Sequence, residues 1–313
     1  MLLVAHMCHA DESAEVARRD ADWLTRLQRS REALEWSDSL VRHDWRLQER
    51  PQDGRCRILD PAERVVREGS AEECRTAFMR LDSQGAIPAV HGPAVLVLHG
   101  LGEGRASMRP LVEHLRRTLD ATVLFFGYAS THADIETHGR SLGDVIAGLP
   151  KAARLSFVGH SLGNLVVRRW MALADEDDLA RIDRMVMLGP PNQGSDLARR
   201  VAGVQFLAGL AEGAARDLVV DWHKVAPQLA VPPCQFGIVA GGRGDSTGYS
   251  PLLEGDDDAV VRVDETRLEG ADDFLLLPVH HAAMLRDPEV QRATATFLKV
   301  GRFADAPGTG AAE

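Results

Sequence analysis

The sequence predicts an α/β fold, with a mainly parallel central sheet, helices on both faces, and a small N-terminal unit of helix, short strands and helix ahead of it. Three observations carry this. First, from residue 93 onward short apolar runs recur: "AVLVLHG" (94–100), "TVLFFGY" (122–128), "LSFVGH" (155–160), "RMVMLGP" (184–190), "QFGIVAG" (235–241) and "FLLLPVH" (274–280). They are rich in β-branched and aromatic residues and nearly free of polar ones, as strands covered on both faces require. Second, amphipathic stretches separate them at about 106–119, 134–148, 162–174 and 195–217, with a last one at about 287–299. Strict alternation of this kind makes the sheet mainly parallel. Third, the first 90 residues have a different texture, with one long stretch free of Gly and Pro followed by short alternating segments.

Taken in order, residues 11–41 place Trp23, Leu24, Leu27, Leu34 and Trp36 at near-helical spacing, and one amphipathic helix is expected there. Residues 44–67 alternate apolar with polar around "PQDG" and "DPAE", which read as turns, so a three-strand meander is expected. "SAEECRTAFMRLDSQG" then opens with Ser70 and carries Glu73 three residues on, a capping box, and ends at Gly85. The expected organisation is an N-terminal unit over 1–90, a larger domain over 91–302 with a candidate lid at 195–230, and a flexible tail at 303–313.

The chain has 313 residues, 45% hydrophobic and 26% charged, enough to bury a large core. Its formal net charge of -10 opposes nucleic acid or an anionic membrane surface as main partner. Cys8, Cys56, Cys74 and Cys234 form no CxxC pair and have no His at zinc spacing, so no metal is expected. No apolar run approaches the roughly 18 residues of a membrane span. "MLLVAHMCHA" has no basic segment and too short an apolar run for a signal core, which makes a soluble cytoplasmic protein the default expectation. Nothing sets an oligomeric state.

The stretch "LSFVGHSLGNL" (155–165) contains Gly159-x-Ser161-x-Gly163. In a chain with 28 Gly such a pattern arises by chance about once in ten chains, so context must decide it. Here an apolar strand ends and a helical stretch begins, the setting of a nucleophile elbow, with an ordinary strand-to-helix turn capped by a serine as the alternative. A serine hydroxyl then needs a base, a group that orients the base, and oxyanion donors. Leu101, in the loop after "LVLHG" that His99, Gly100, Gly102 and Gly104 shape, and Leu162 offer backbone N–H groups for the oxyanion. His280 and His281 follow the last strand, and spacing does not choose between them. His132, His138, His160 and His223 read as surface or cap histidines, His160 lying inside the elbow and turned from the serine. For the acid, "LLEGDDDAVVRVDE" offers Asp256, Asp257, Asp258 and Asp264, and Asp245 in "GRGDS" stands in reserve. Of the three successive aspartates, two read as a solvated turn.

These segments, with "MVMLGPPNQGSDLA" and "VHHAAML", resemble the bacterial α/β-hydrolases of lipase and esterase type over about residues 93–300. The resemblance implies a Ser-Asp-His triad in that order, without metal or organic cofactor, acting on a small-molecule or lipid ester. Matching Val261 and Val263 to the valines of the family's acid motif implies Asp258 as the acid, with Asp257 its nearest rival. Matching "HAAML" to the family's late histidine motif implies His281 as the base. Two departures stand out: Ala259 where the family has Gly after the acid, and Ala282 where a hydroxyl residue usually follows the histidine. In "GPPNQGS" (189–195), Asn192 or Gln193 could bond a loop backbone or a substrate, with ordinary turn chemistry the preferred reading. The segment "LARRVAGVQFLAGLAEGAARDL" reads as core packing or as a lid over an acyl pocket.

Overall fold

The computed structural model describes residues 35–197, 213–219 and 221–303. Two sheets organise them. The larger has six strands in the order β10-β9-β8-β7-β5-β6, comprising β5 (Ala94–Leu98), β6 (Thr122–Phe126), β7 (Leu155–His160), β8 (Ile182–Leu188), β9 (Gln235–Gly241) and β10 (Asp273–Leu277). Every neighbouring pair in it is parallel.

Residues of one strand alternate between two cores. Leu96, Leu98, Leu124 and Phe126 face one side with Leu142, Val145, Leu165 and Trp170. Val95, Val97, Val123 and Phe125 face the other with Met108, Leu111, Leu115, Val290 and Phe297. Helices α2 (Arg105–Thr118) and α5 (Pro288–Val300) therefore cover one face, and α3 (Ile135–Ala147) and α4 (Leu162–Met171) the other. The apolar runs needed this double cover, and burial of each large side chain contributes about 1.5–3 kcal/mol. β10 is the exception to the expectation of strands covered on both faces. It closes one edge, and Leu276 stays exposed.

The N-terminal unit departs from expectation at its start. Residues up to 34 lie outside the described ones, but Ser37–Arg42, expected as the end of a long helix, form strand β1. It pairs antiparallel with β2 (Trp45–Glu49), which continues through β3 (Cys56–Leu59) to β4 (Val65–Gly69), so the three strands expected over 44–67 form and β1 adds a fourth. Alternation explains the strand: Leu40 joins a small core with Leu47, Ile58, Cys74 and Phe78, while neighbouring Val41 joins the main core. The capping box of helix α1 (Ala71–Ser83) forms as expected, with Ser70 Oγ accepting from Glu73 N–H and Glu73 accepting from Ser70 N–H.

β1 also docks against the six-stranded sheet at the loop after β6. Asp38 N–H donates to Gly127 O at 2.8 Å, Gly127 N–H donates back to the Asp38 carboxylate at 2.7 Å, and Ala129 N–H donates to Ser37 Oγ at 3.0 Å. Ser130, next in that loop, accepts from Gly102 N–H at 3.0 Å. The small sheet thus braces the loop after β6, which braces the loop after β5. Of the candidate lid, residues 198–212 and 220 lie outside the described residues, and short helices occupy Gly213–Val219 and Trp222–Val225. Among the described residues no helix is long and apolar enough to cross a membrane.

Candidate active site

Strand order places the site. The chain runs from β5 out to β6, then returns past β5 to β7, so the loops after β5 and β7 diverge and leave a crevice at their carboxyl ends, where ligands bind in such sheets. Ser161 stands at that point between β7 and α4. Its backbone has φ 52 and ψ -121, a left-handed conformation that L side chains rarely adopt. The strain is held from both sides, because Ser161 N–H donates to Leu188 O at 2.9 Å and Asn164 N–H donates to Ser161 O. The flanking glycines are required by close approach: a Cβ on Gly163 would lie 2.8 Å from the carbonyl oxygens of Leu98 and His99, and one on Gly159 would meet Asn164 at 2.3 Å.

The two residues that spacing left ambiguous are separated clearly. His281 is buried, and its Nδ1 lies 2.6 Å from Asp258 Oδ2, while His280 is exposed with its ring against Tyr249. His281 N–H also donates to Asp258 O at 2.8 Å, so backbone and side chain bind the same residue. The bond at Nδ1 fixes the tautomer and makes Nε2 the basic nitrogen. Burial pulls the His281 pKa down, but the charge and hydrogen bond of Asp258 outweigh it and hold it above the usual 6.5. His281 lies beside the end of β8, since a Cβ on Gly189 would come within 3.0 Å of its ring.

Asp258 is fully buried, and its other oxygen accepts from Val260 and Val261 N–H at 3.0 and 2.7 Å. Asp257 is also fully buried, which corrects its reading as part of a solvated turn. Its Oδ1 accepts from the N–H groups of Tyr249, Ser250 and Ala259, folding the acid loop around itself. Asp256 accepts from Arg243 and Gly244 N–H, Asp245 caps Thr247 and Gly248, and Asp264 is exposed near Arg262 and Arg267. None of these three contacts His281 among the described bonds. Ala259 takes φ 85, the turn for which a glycine is suited. Ala259→Gly is therefore expected to raise stability by about 0.5–1 kcal/mol in thermal unfolding, with turnover retained.

Leu101 follows β5 and Leu162 opens α4, on the two strands flanking the crevice. Leu162 N–H belongs to the first turn of that helix, whose N–H groups have no partner within the helix. The loop before Leu101 is set by His99, buried against Tyr128 at 4.2 Å between ring centroids. Tyr128 N–H donates to His99 Nε2, which leaves Nδ1–H to donate to Gly100 O at 2.8 Å, and burial lowers this imidazole to about 4. Asn192 and Gln193 bond protein rather than facing the crevice alone: Asn192 accepts from Arg168 and donates to Thr266 O, and Gln193 donates to Arg267 O. They anchor the chain just beyond the acid loop.

Two expected surface or cap histidines are buried, which corrects that reading. His138 packs against Tyr128, and His160 lies fully buried between Glu103 and the His281 backbone. Sequence reasoning missed Glu103 altogether, and its one signal was a charged residue inside a glycine-rich loop.

Over residues 94–193 the chain matches the family described as "Putative serine esterase (DUF676)". No curated protein matches it. Among solved structures, it is similar to the mature form of the Bacillus licheniformis lipase BlEst2, at 17% identity and a TM-score of 0.54, over 68% of this chain and 95% of that one. The fold is that of the α/β-hydrolases. The propeptide form of the same lipase matches at 16% identity and a TM-score of 0.53, over 72% of this chain and 54% of that one, so the chain spans about half its length. The family match runs from β5 through the elbow to the "PPNQ" turn, the half of the α/β-hydrolase fold that holds Ser161. Asp258 and His281 lie beyond it.

Proposed function

We propose that the protein is a serine hydrolase that cleaves carboxylic esters, with Ser161 as nucleophile, His281 as base and Asp258 as the acid that orients it. The observation that carries this reading is the buried Asp258–His281 pair, joined at 2.6 Å beside the β8 end whose Leu188 carbonyl holds the strained Ser161. His281 Nε2 takes the Ser161 proton as Oγ attacks the ester carbonyl, and Asp258 stabilises the imidazolium that results. Leu101 and Leu162 N–H groups receive the oxyanion, where loss of one donor typically costs about 10²–10³-fold in rate. The alcohol leaves with the proton from His281. Water, deprotonated by the same histidine, then attacks the acyl-enzyme and returns Ser161 as a free hydroxyl.

A fluorophosphonate probe tests the reading on the full chain. Covalent labelling that maps to the Ser161 peptide, together with turnover of p-nitrophenyl esters, is the expected result. A folded protein that neither labels nor hydrolyses any ester in a series of acyl lengths overturns it. Acyl thioesters in the same series separate an esterase from a thioesterase, since both chemistries run on one triad and differ in the pocket.

A further inference from the structure

Beside the Asp258–His281 pair lies a second carboxylate–imidazole pair. Glu103 Oε2 sits 3.0 Å from His160 Nδ1, and the same oxygen accepts from Gly100 N–H at 2.9 Å and from Ser107 Oγ at 3.4 Å. His160 Nε2 lies 3.2 Å from the carbonyl oxygen of His281, and the two imidazole rings are 4.7 Å apart. Both partners of His160 are acceptors only. With Glu103 ionised, each ring nitrogen donates to its partner, and the geometry is that of an imidazolium beside a carboxylate. Gly100 gives the distance to the serine: a Cβ there would stand 3.1 Å from Ser161 Cβ, 3.2 Å from Glu103 Oε2 and 3.3 Å from His160 Nδ1.

We propose that Glu103 and His160 are positioning residues that tie the loop carrying Leu101 to the turn carrying His281 through one charged pair. The carboxylate fixes the loop by its bond to Gly100, and the imidazolium passes the restraint on to the His281 carbonyl. Charge balance explains why both are needed. A lone carboxylate this close to Ser161 would oppose an oxyanion, and a lone buried imidazolium would be costly to desolvate, whereas together they add no net charge. Burial pushes Glu103 up, but the bond and charge of His160 and the Gly100 N–H overcome it and hold the carboxyl at about 2, so it is a carboxylate at neutral pH. This inference rests on the proposed triad for its kinetic consequence but not for its structural one.

The test uses full-length protein labelled with ¹⁵N-histidine, with His160 assigned by comparison with His160→Asn. At pH 7.5 the wild type is expected to show both His160 nitrogens protonated, and Glu103→Gln, which keeps shape but loses charge, is expected to convert His160 to a neutral tautomer. A neutral His160 in the wild type overturns the proposal, whether or not the protein hydrolyses esters. In the kinetic arm, Glu103→Gln should lower kcat for a p-nitrophenyl ester by about 10- to 100-fold while KM changes by less than about threefold, as a misplaced catalytic group would. An unchanged kcat in a folded Glu103→Gln variant also overturns it. If the wild type itself neither labels nor turns over, the triad reading fails while the NMR arm still decides the pair.

Discussion

Ser161→Ala should lower kcat for ester hydrolysis by about 10⁵- to 10⁶-fold and abolish fluorophosphonate labelling, the scale seen when the nucleophile of a triad is removed. Ser161→Gly should lose as much activity yet gain stability. Ser161 is held at φ 52 and ψ -121, and such strain costs a non-glycine residue on the order of 1–3 kcal/mol. Glycine relieves it, less about 0.5–1 kcal/mol for its greater freedom when unfolded. The expected outcome is a midpoint about 2–4 °C above that of Ser161→Ala in thermal unfolding, from a net gain near 1 kcal/mol. Only a site that stores strain at the serine links these two results. A Ser161→Gly variant less stable than Ser161→Ala would mean that the elbow is not strained, and a Ser161→Ala variant that still turns over would remove Ser161 from the chemistry.

What was legible in the sequence was whatever local pattern or double burial dictates. Strands β5 to β9 of the large sheet read clearly because both faces are covered, and the Ser70–Glu73 capping box read clearly because both its bonds close within four residues. β1 did not, since no Gly or Pro breaks residues 11–41 and its state is set by pairing with β2 and by bonds to Gly127 and Ala129 some 90 residues away. The aspartate run shows the same limit. Asp257 and Asp258 are adjacent and equally buried, yet one carboxylate closes its own loop and the other reaches His281, and only the path of the loop decides which. Glu103 and His160, 57 residues apart, carry no pattern that would join them before the sheet brings β5 and β7 side by side.

Asp258→Asn should lower kcat by about 10⁴-fold with the fold intact, through the tautomer of the base. Asp258 Oδ1 already accepts two N–H groups, from Val260 and Val261, so the asparagine must keep its oxygen there and turn its NH₂ toward His281. A donor facing Nδ1 leaves that nitrogen bare and puts the proton on Nε2, which then has no lone pair for the Ser161 proton. Asp257→Asn makes the contrast, because its Oδ1 serves three loop N–H groups and neither oxygen bonds His281. Its cost should appear in thermal stability, with kcat falling far less. The pH dependence follows from the same pair. His281 must be neutral to act as base and its pKa is raised, so the acid limb of kcat/KM should lie above 6.5 and move down in Asp258→Asn. For stability the sign is opposite. A folded-state pKa above the unfolded one means that the pair's contribution is fully present below about pH 6.5 and is lost as pH rises through the folded value. The stability gap between wild type and Asp258→Asn should therefore narrow from pH 6 to pH 9 while the gap in activity widens, a crossing that a purely structural role for Asp258 would not produce.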